Sequence, residues 1–352
     1  MPVYAYDVDP NVPTAPPVNF SASPPMVLLY DGLVILRAIA TLPFVFVPRP
    51  LAGIDITTSG LALQVVAFIV SLGVSGIVLA ALGLGIPAPW LAFILAWIAL
   101  ALIKVVQGEA LIPPRVGSTE FDKEAWFVVN GICTSPSGLR LIIATLENVF
   151  QRPITGINNR TYGFLFDFLE CLVQRDLFWP TDDLRVGYGA ICAAILDDSK
   201  KRVVLIAHSQ GGILASRWMD QLLADFTPDR LSKLEVYTFA SAANHFSAPL
   251  SGNREAPFSR IEHFANENDF VARIGVLAFS NRPSMSVLAA SNPGIFPAVQ
   301  ARYAGRVFLR TRNTGHLLLS HYLQPGNSIL DHPFVQEHSK LVTYMGGENA
   351  AV

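Results

Sequence analysis

The sequence predicts an α/β protein: a mostly parallel sheet with helices on both faces, preceded by a pair of membrane helices. Three observations carry this. Strand-like apolar runs alternate with helix-like segments from about residue 120 to residue 346, and such alternation builds a parallel sheet joined by crossover helices. Val203-Val204-Leu205-Ile206 is a run of branched apolar residues, which suits a strand covered on both faces. From Ile56 to Ile103 there is no charged residue, which is chain enough for two bilayer crossings at roughly 20 residues each.

Composition narrows the classes. The 352 residues are 51% hydrophobic and only 15% charged, well below the roughly 25% charged of ordinary soluble domains, which points to membrane contact. A net charge of −2 gives no electrostatic case for nucleic acid. Cys133, Cys171 and Cys192 are scattered. They show neither a disulfide framework nor zinc-ligand spacing, which fits a reducing compartment. The first residues lack the basic start and apolar core of a secretory signal peptide.

Residues 1–25 are rich in Pro, Val, Ala and Ser and predict a flexible tail. Residues 26–112 predict a membrane-associated helical region. Its first part, Met26 to Val47, is interrupted by Asp31, Arg37 and Pro43. Two charges near the middle of a span are expensive. A helix lying in the membrane interface, or against the next segment, is therefore favoured over a crossing. The candidate spans are 61–84 and 90–106, separated by Gly85-Ile86-Pro87-Ala88-Pro89. Gly73, Ser75 and Gly76 in one, and Ala92, Ala96 and Ala99 in the other, permit close packing as a transmembrane hairpin. The bland alternative is a helical hairpin buried in a soluble core. A hairpin puts both flanks on one side. Arg37, Arg49, Lys104, Arg115 and Lys123 lie there, so the positive-inside bias places that side in the cytosol; an endomembrane is expected, with the organelle left open. Residues 113–119 read as a linker.

The domain at 120–346 begins with a strand at Trp126–Val129 that ends at Asn130-Gly131. Helix 139–150, a short strand 153–157, and helices 164–173 and 184–197 follow. After the strand at Val203–Ile206 come strands at 234–240, 261–265 and 306–310.

The central strand runs into Ala207-His208-Ser209-Gln210-Gly211, the spacing small-x-Ser-x-small. A serine on a tight strand-to-helix turn needs small residues two positions away on each side, so that the two backbones can pass. A Ser209 that merely caps the following helix leaves those small residues unexplained. A serine hydroxyl is a poor nucleophile at neutral pH. It needs a histidine to take its proton and an acid to hold that histidine. In sites of this kind the chain order is Ser, acid, His. Asp269 fits the acid, in a turn just after the strand at 261–265, with Glu267 its nearest rival. His316 and His321 both follow the last predicted strand. His316, after Gly315 on a polar turn, is the better placed, and His321 stays open. His208 is expected to pack or shape the pocket, and His245 and His263 to be structural. The oxyanion hole calls for two backbone N–H groups. They are expected from Gln210, at a helix start, and from Ile132, after the first strand of the domain. No metal is expected: histidines five apart share no helical face, and there is no His-Glu-x-x-His run.

These residues carry a resemblance. Phe127-Val128-Val129-Asn130-Gly131, Ala207-His208-Ser209-Gln210-Gly211-Gly212, Ala265-Asn266-Glu267-Asn268-Asp269-Phe270-Val271-Ala272-Arg273, Gly315-His316 and His321-Tyr322-Leu323 resemble α/β-hydrolases of the lipase-like type. More narrowly, they are similar to a group of fungal membrane-associated hydrolases. The resemblance covers about two thirds of the chain. It implies the α/β-hydrolase fold, a Ser-Asp-His triad, ester or related acyl hydrolysis and no cofactor. Ala207 stands where the first Gly is usual, and Asn130 where many relatives have His. The N-terminal hairpin lies outside the family pattern. The expectation is a membrane-anchored serine hydrolase (Ser209, Asp269, His316; Gln210 and Ile132 N–H) acting on a lipid-like or other apolar ester. Its partners would be that substrate and the bilayer. The alternatives are acyl transfer or secondary-metabolite hydrolysis on the same triad, and a non-catalytic tethered scaffold.

Overall fold

The computed structural model describes residues 2–7, 22–45, 57–83, 107–115, 120–161, 163–248, 257–280 and 302–351, together with Trp90, Ile94, Ile98 and Gly117. Among the described residues eight strands form one sheet: β1 (Val3–Asp7), β2 (Leu111–Ile112), β3 (Glu124–Val129), β4 (Ile154–Ile157), β5 (Arg202–His208), β6 (Leu234–Phe239), β7 (Arg260–Asn268) and β8 (Arg306–Thr314). Their order is β1-β8-β7-β6-β5-β3-β4-β2. The six central strands are parallel, and the edge strands β1 and β2 run antiparallel to β8 and β4. The expected α/β architecture with a mostly parallel sheet is therefore present.

The alternation along β5 explains why it sits centrally. Val203, Leu205 and Ala207 join the apolar cluster on one face, and Val204 and Ile206 the cluster on the other. A strand apolar on both sides is stable only where helices cover both. The helices are α1 (Pro24–Ala38), α2 (Thr58–Gly83), α3 (Pro136–Phe150), α4 (Phe164–Asp176), α5 (Asp182–Leu196), α6 (Gly211–Asp225), α7 (Pro228–Leu231), α8 (Phe270–Ile274), α9 (Val276–Phe279) and α10 (Pro333–His338). Helix α3 has a legible start: Pro136 occupies its first turn and the Ser135 hydroxyl accepts the Gly138 N–H at 3.2 Å. Helix α6 buries Ile213, Leu214, Trp218 and Leu222, an apolar face at helical spacing.

The sheet topology places a crevice. From β3 the chain moves outward to β4, and it then returns to the opposite side of β3 as β5. Loops leaving the carboxyl ends of β3 and β5 diverge at this reversal, and ligands of open α/β sheets bind at such points.

Three sequence-based boundaries need correction. Within the tail expected to be flexible at 1–25, Val3–Asp7 is an edge strand paired with Arg306–Arg310 of β8. Val3 is buried and the Tyr6 hydroxyl lies 2.8 Å from Ser280 Oγ, so this short alternating run is held by tertiary pairing. The end of the 26–112 region is part of the sheet as β2, and the Gln107 side chain hydrogen-bonds the Thr161 backbone. The globular body also extends past 346, with the Ala351 N–H on Glu124 at 2.6 Å.

Helix α1 packs on the domain along one side. Val27, Asp31, Val34 and Ala38 form a stripe along one side and are buried. Asp31, costly in a bare membrane helix, meets Arg175 of α4 at 2.6 Å, with both side chains almost wholly enclosed. Arg175 also donates to the Ala242 carbonyl at 2.8 Å. Breaking one half of a buried ion pair leaves a desolvated charge. Asp31→Ala is expected to cost about 3 kcal/mol of stability, read by urea unfolding of the full chain in detergent micelles. A change within experimental error would remove the pair as a clamp on α1.

Among the described residues two helices are long and apolar enough to cross a membrane: Pro24–Phe44, 21 residues, and Ala62–Gly83, 22 residues. The second falls within the predicted span 61–84. Of the predicted span 90–106, only Trp90, Ile94 and Ile98 are described, each helical and exposed. The rest of it, and the break at 85–89, lie outside the described residues.

Candidate active site

Ser209 follows β5 directly and stands at the crevice. Its φ of 59° lies in the left-handed region, which costs a side-chain-bearing residue roughly 1–2 kcal/mol. Three backbone bonds hold the corner. The Ser209 N–H donates to the Phe239 carbonyl at 3.1 Å, and its own carbonyl accepts the N–H groups of Gly212 at 2.9 Å and Ala242 at 3.1 Å. The small neighbours are required by space. A Cβ on Gly211 would come within 2.7 Å of the Val129 carbonyl oxygen. A Cβ on Gly131 would come within 2.4 Å of Ser209 Cβ and 2.8 Å of its Oγ.

His316 follows β8 and reaches Ser209. Its Nε2 lies 2.9 Å from Ser209 Oγ, and its Nδ1 lies 3.0 and 3.1 Å from the Asp269 carboxylate oxygens. A carboxylate only accepts, so Nδ1 carries the proton and Nε2 is free to accept from the hydroxyl. Asp269 follows β7, just past an irregularity in the β7–β8 register between Asn266 and Asn268. Bulges of this kind turn a strand end and re-aim its side chains. Its Oδ1 also caps α8, accepting from the Val271 N–H at 2.8 Å. Its Oδ2 accepts from the Tyr322 hydroxyl at 2.8 Å, and that hydroxyl takes the Asn266 N–H at 2.9 Å. Ser209, His316 and Asp269 are all buried.

The choice left open between the two late histidines is thereby made in geometry. His321 lies in a π-helical turn, Leu318–Tyr322, and its Nδ1 accepts the Leu317 N–H at 2.9 Å. Glu267, the rival acid, accepts from the Arg312 N–H instead.

Gln210 and Ile132 line the same cavity as Ser209. Among the described residues, neither backbone N–H has a hydrogen-bond acceptor, as donors awaiting an oxyanion require. Both are held by side chains whose positioning roles were not read from the sequence. Asn130 Nδ2 donates to the carbonyls of Thr134 at 3.2 Å and Asn159 at 3.0 Å, and its Oδ1 accepts the Asn159 N–H at 2.8 Å. This staples the loop after β3. The Gln210 side chain accepts from Asn159 and donates to Gln174 Oε1 at 2.9 Å. The contact of Tyr322 with Asp269 was not read from the sequence either. No local pattern marks a hydroxyl that meets a carboxylate 53 positions away.

The cavity in front of Ser209 is about 310 Å³, at the small end of ligand pockets. Its walls are apolar: Phe168 and Leu172 of α4, Phe270 of α8, and Ile35, Ile39 and Leu42 from α1 and the 3₁₀ turn after it. Among the described residues no group of three or more His, Cys, Asp or Glu is placed to hold a metal.

His208 stacks on His316 with ring centres 4.8 Å apart and lies 2.9 Å by Nε2 from the His316 carbonyl oxygen, to which it donates. Burial first, and the neighbouring His316 ring second, pull its pKa down to about 3. His263, between Thr238 and the Ala304 carbonyl, is likewise pulled down by burial, to about 4. Both imidazoles are neutral when folded and take up a proton on unfolding below about pH 6.5. The unfolded chain then binds more protons, so stability falls as pH drops from about 6.5 towards 4. Each histidine is expected to cost about 2 kcal/mol between about pH 7 and about pH 5. Urea unfolding at both pH values reads this. His263→Asn is expected to flatten the fall by half, and an unchanged fall would contradict the assignment.

Neither a scan of protein-family models nor a comparison with curated proteins gave a match for this chain.

Proposed function

We propose that this chain is a membrane-anchored serine hydrolase of the α/β-hydrolase fold that cleaves esters of apolar acyl groups. One observation carries the proposal: Ser209, His316 and Asp269 form a continuous buried hydrogen-bonded chain at the mouth of an apolar cavity. His316 Nε2 takes the Ser209 proton as Oγ attacks the acyl carbonyl. The tetrahedral oxyanion accepts from the Gln210 and Ile132 N–H groups. The carbon–oxygen bond to the alcohol breaks, and His316 returns the proton to the departing oxygen. Water, deprotonated by His316, then attacks the acyl-serine, and the acid is released. The Asp269 carboxylate holds the imidazole and balances its transient charge.

The apolar walls argue for an acyl chain in the cavity, and the helices at 24–44 and 62–83 argue for a membrane as its source. With a second span at 90–106, the domain would face the cytosol. A panel of p-nitrophenyl esters of increasing acyl length, assayed with the full chain in detergent, tests the substrate class. Each methylene entering the cavity contributes about 0.8 kcal/mol. We expect kcat/KM to rise about fourfold per methylene until the cavity is full. A flat profile would reject the apolar acyl substrate. Added alcohol acceptors separate hydrolysis from transfer, because transfer yields a new ester in place of the acid.

A further inference from the structure

The cavity wall nearest the N-terminus belongs to α1, and its other side has no protein on it among the described residues. The faces of α1 divide sharply. Val27, Asp31, Val34 and Ala38, on one stripe, are buried against the domain. Ile35, at the edge of that stripe, lines the cavity with Ile39 and Leu42 just beyond it. On the opposite arc Met26, Leu29, Leu33 and Leu36 are exposed, Leu29 at 58% and Leu36 at 67%. An outward leucine arc of this kind on a helix is an interface-seeking surface.

The surroundings say what covers it. Helices α1 and α2 both pack on α4, so the uncharged α2 lies on the same side of the molecule. Leu177 and Phe178, after α4, share a small surface pocket with Pro24 and Val27 at the start of α1. Next to them Trp179 is 65% exposed, and tryptophan is the residue that settles at the membrane–water boundary. The exposed leucines, Trp179 and α2 thus belong to one side. The buried stripe also rules out a crossing. Asp31 is fixed to Arg175 at 2.6 Å, and the stripe from Val27 to Ala38 holds about 16 Å of helix against the domain. A helix held along that length cannot leave the domain to traverse roughly 30 Å of hydrocarbon.

We infer that α1 lies in the plane of the membrane, its leucine arc in lipid, and forms the wall past which an acyl chain passes from the bilayer to Ser209. The surface assignment stands on α1 itself, and the acyl route rests on the proposed hydrolase function. The substrate class is then a bilayer-resident acyl lipid, entering between α1 and α4.

A fluorescent amino acid placed by codon suppression at Leu29, Leu33 or Leu36 of the full chain tests this. The protein is reconstituted in phosphatidylcholine vesicles carrying bromines at shallow or deep acyl positions. An in-plane helix gives the same shallow quenching at all three sites and none at Asp198 on the opposite end of the sheet. Quenching that deepens from 29 to 36, by about 10 Å of helix, means a crossing and overturns the inference. Absence of quenching, whether the arc faces water or a second copy of the chain, overturns it too. The same pattern is expected in Ser209→Ala, so this readout survives failure of the hydrolase proposal. The route is tested by Leu29→Glu with Leu33→Glu. Hydrolysis of an ester held in vesicles is expected to fall about tenfold or more, with hydrolysis of a water-soluble short-chain ester unchanged. Equal loss on both substrates would reject the bilayer route.

Discussion

Ser209→Ala is expected to lower kcat about a million-fold, to the edge of detection, with no change in melting temperature. Deleting the nucleophile of a Ser-His-Asp site removes the covalent path altogether, and losses of about 10⁶ follow. The effect on the fold is small for a local reason. The backbone of Ser209 is held by Phe239, Gly212 and Ala242, and none of these contacts uses the hydroxyl. The hydroxyl reaches His316 Nε2, and both residues line the cavity, where water can replace it. Ester turnover and thermal unfolding of the same preparation check both halves. A loss below about tenfold would mean that another group attacks the ester.

Asp269→Asn is expected to cost about 10⁴-fold in kcat, again with the fold intact. The substitution keeps an oxygen to cap α8 through the Val271 N–H. It replaces the other oxygen by an amide that donates. Facing a donor, His316 Nδ1 becomes the acceptor and the ring proton moves to Nε2. Nε2 then points a hydrogen at Ser209 Oγ and cannot take its proton. A fall in kcat of about 10⁴ with KM within about threefold is the expected signature. A rise in KM alone would instead assign Asp269 to substrate binding.

Parts of this site were legible along the chain because their causes are local. The run Val203–Ile206 needs two covered faces, and Ala207 and Gly211 flank Ser209 at the spacing that a tight corner requires. Asp269 stands one residue beyond a strand whose apolar stretch shows in sequence. Other parts depend on distant chain. His316 and His321 both follow β8, and only the π-helical turn at Leu318–Tyr322 directs His321 to the Leu317 N–H. Strand β1 pairs with β8 about three hundred residues later, and nothing in its own five residues announces that. Asp31 reads as a cost in a membrane helix until Arg175 is seen beside it, 144 positions on. Asn130, met in sequence as the residue that ends the first strand of the domain, secures the loop carrying Ile132 by contacts with Asn159.

A fluorophosphonate reacts only with a serine whose proton a neighbour removes. Incubating the full chain with a fluorophosphonate, followed by peptide mapping, asks whether the hydroxyl at 209 is activated. The result expected is one phosphonyl adduct, on Ser209, absent after heat denaturation and absent in Ser209→Ala. An adduct that forms equally in Ser209→Ala, or a folded protein that stays unlabelled, would contradict the proposed chemistry.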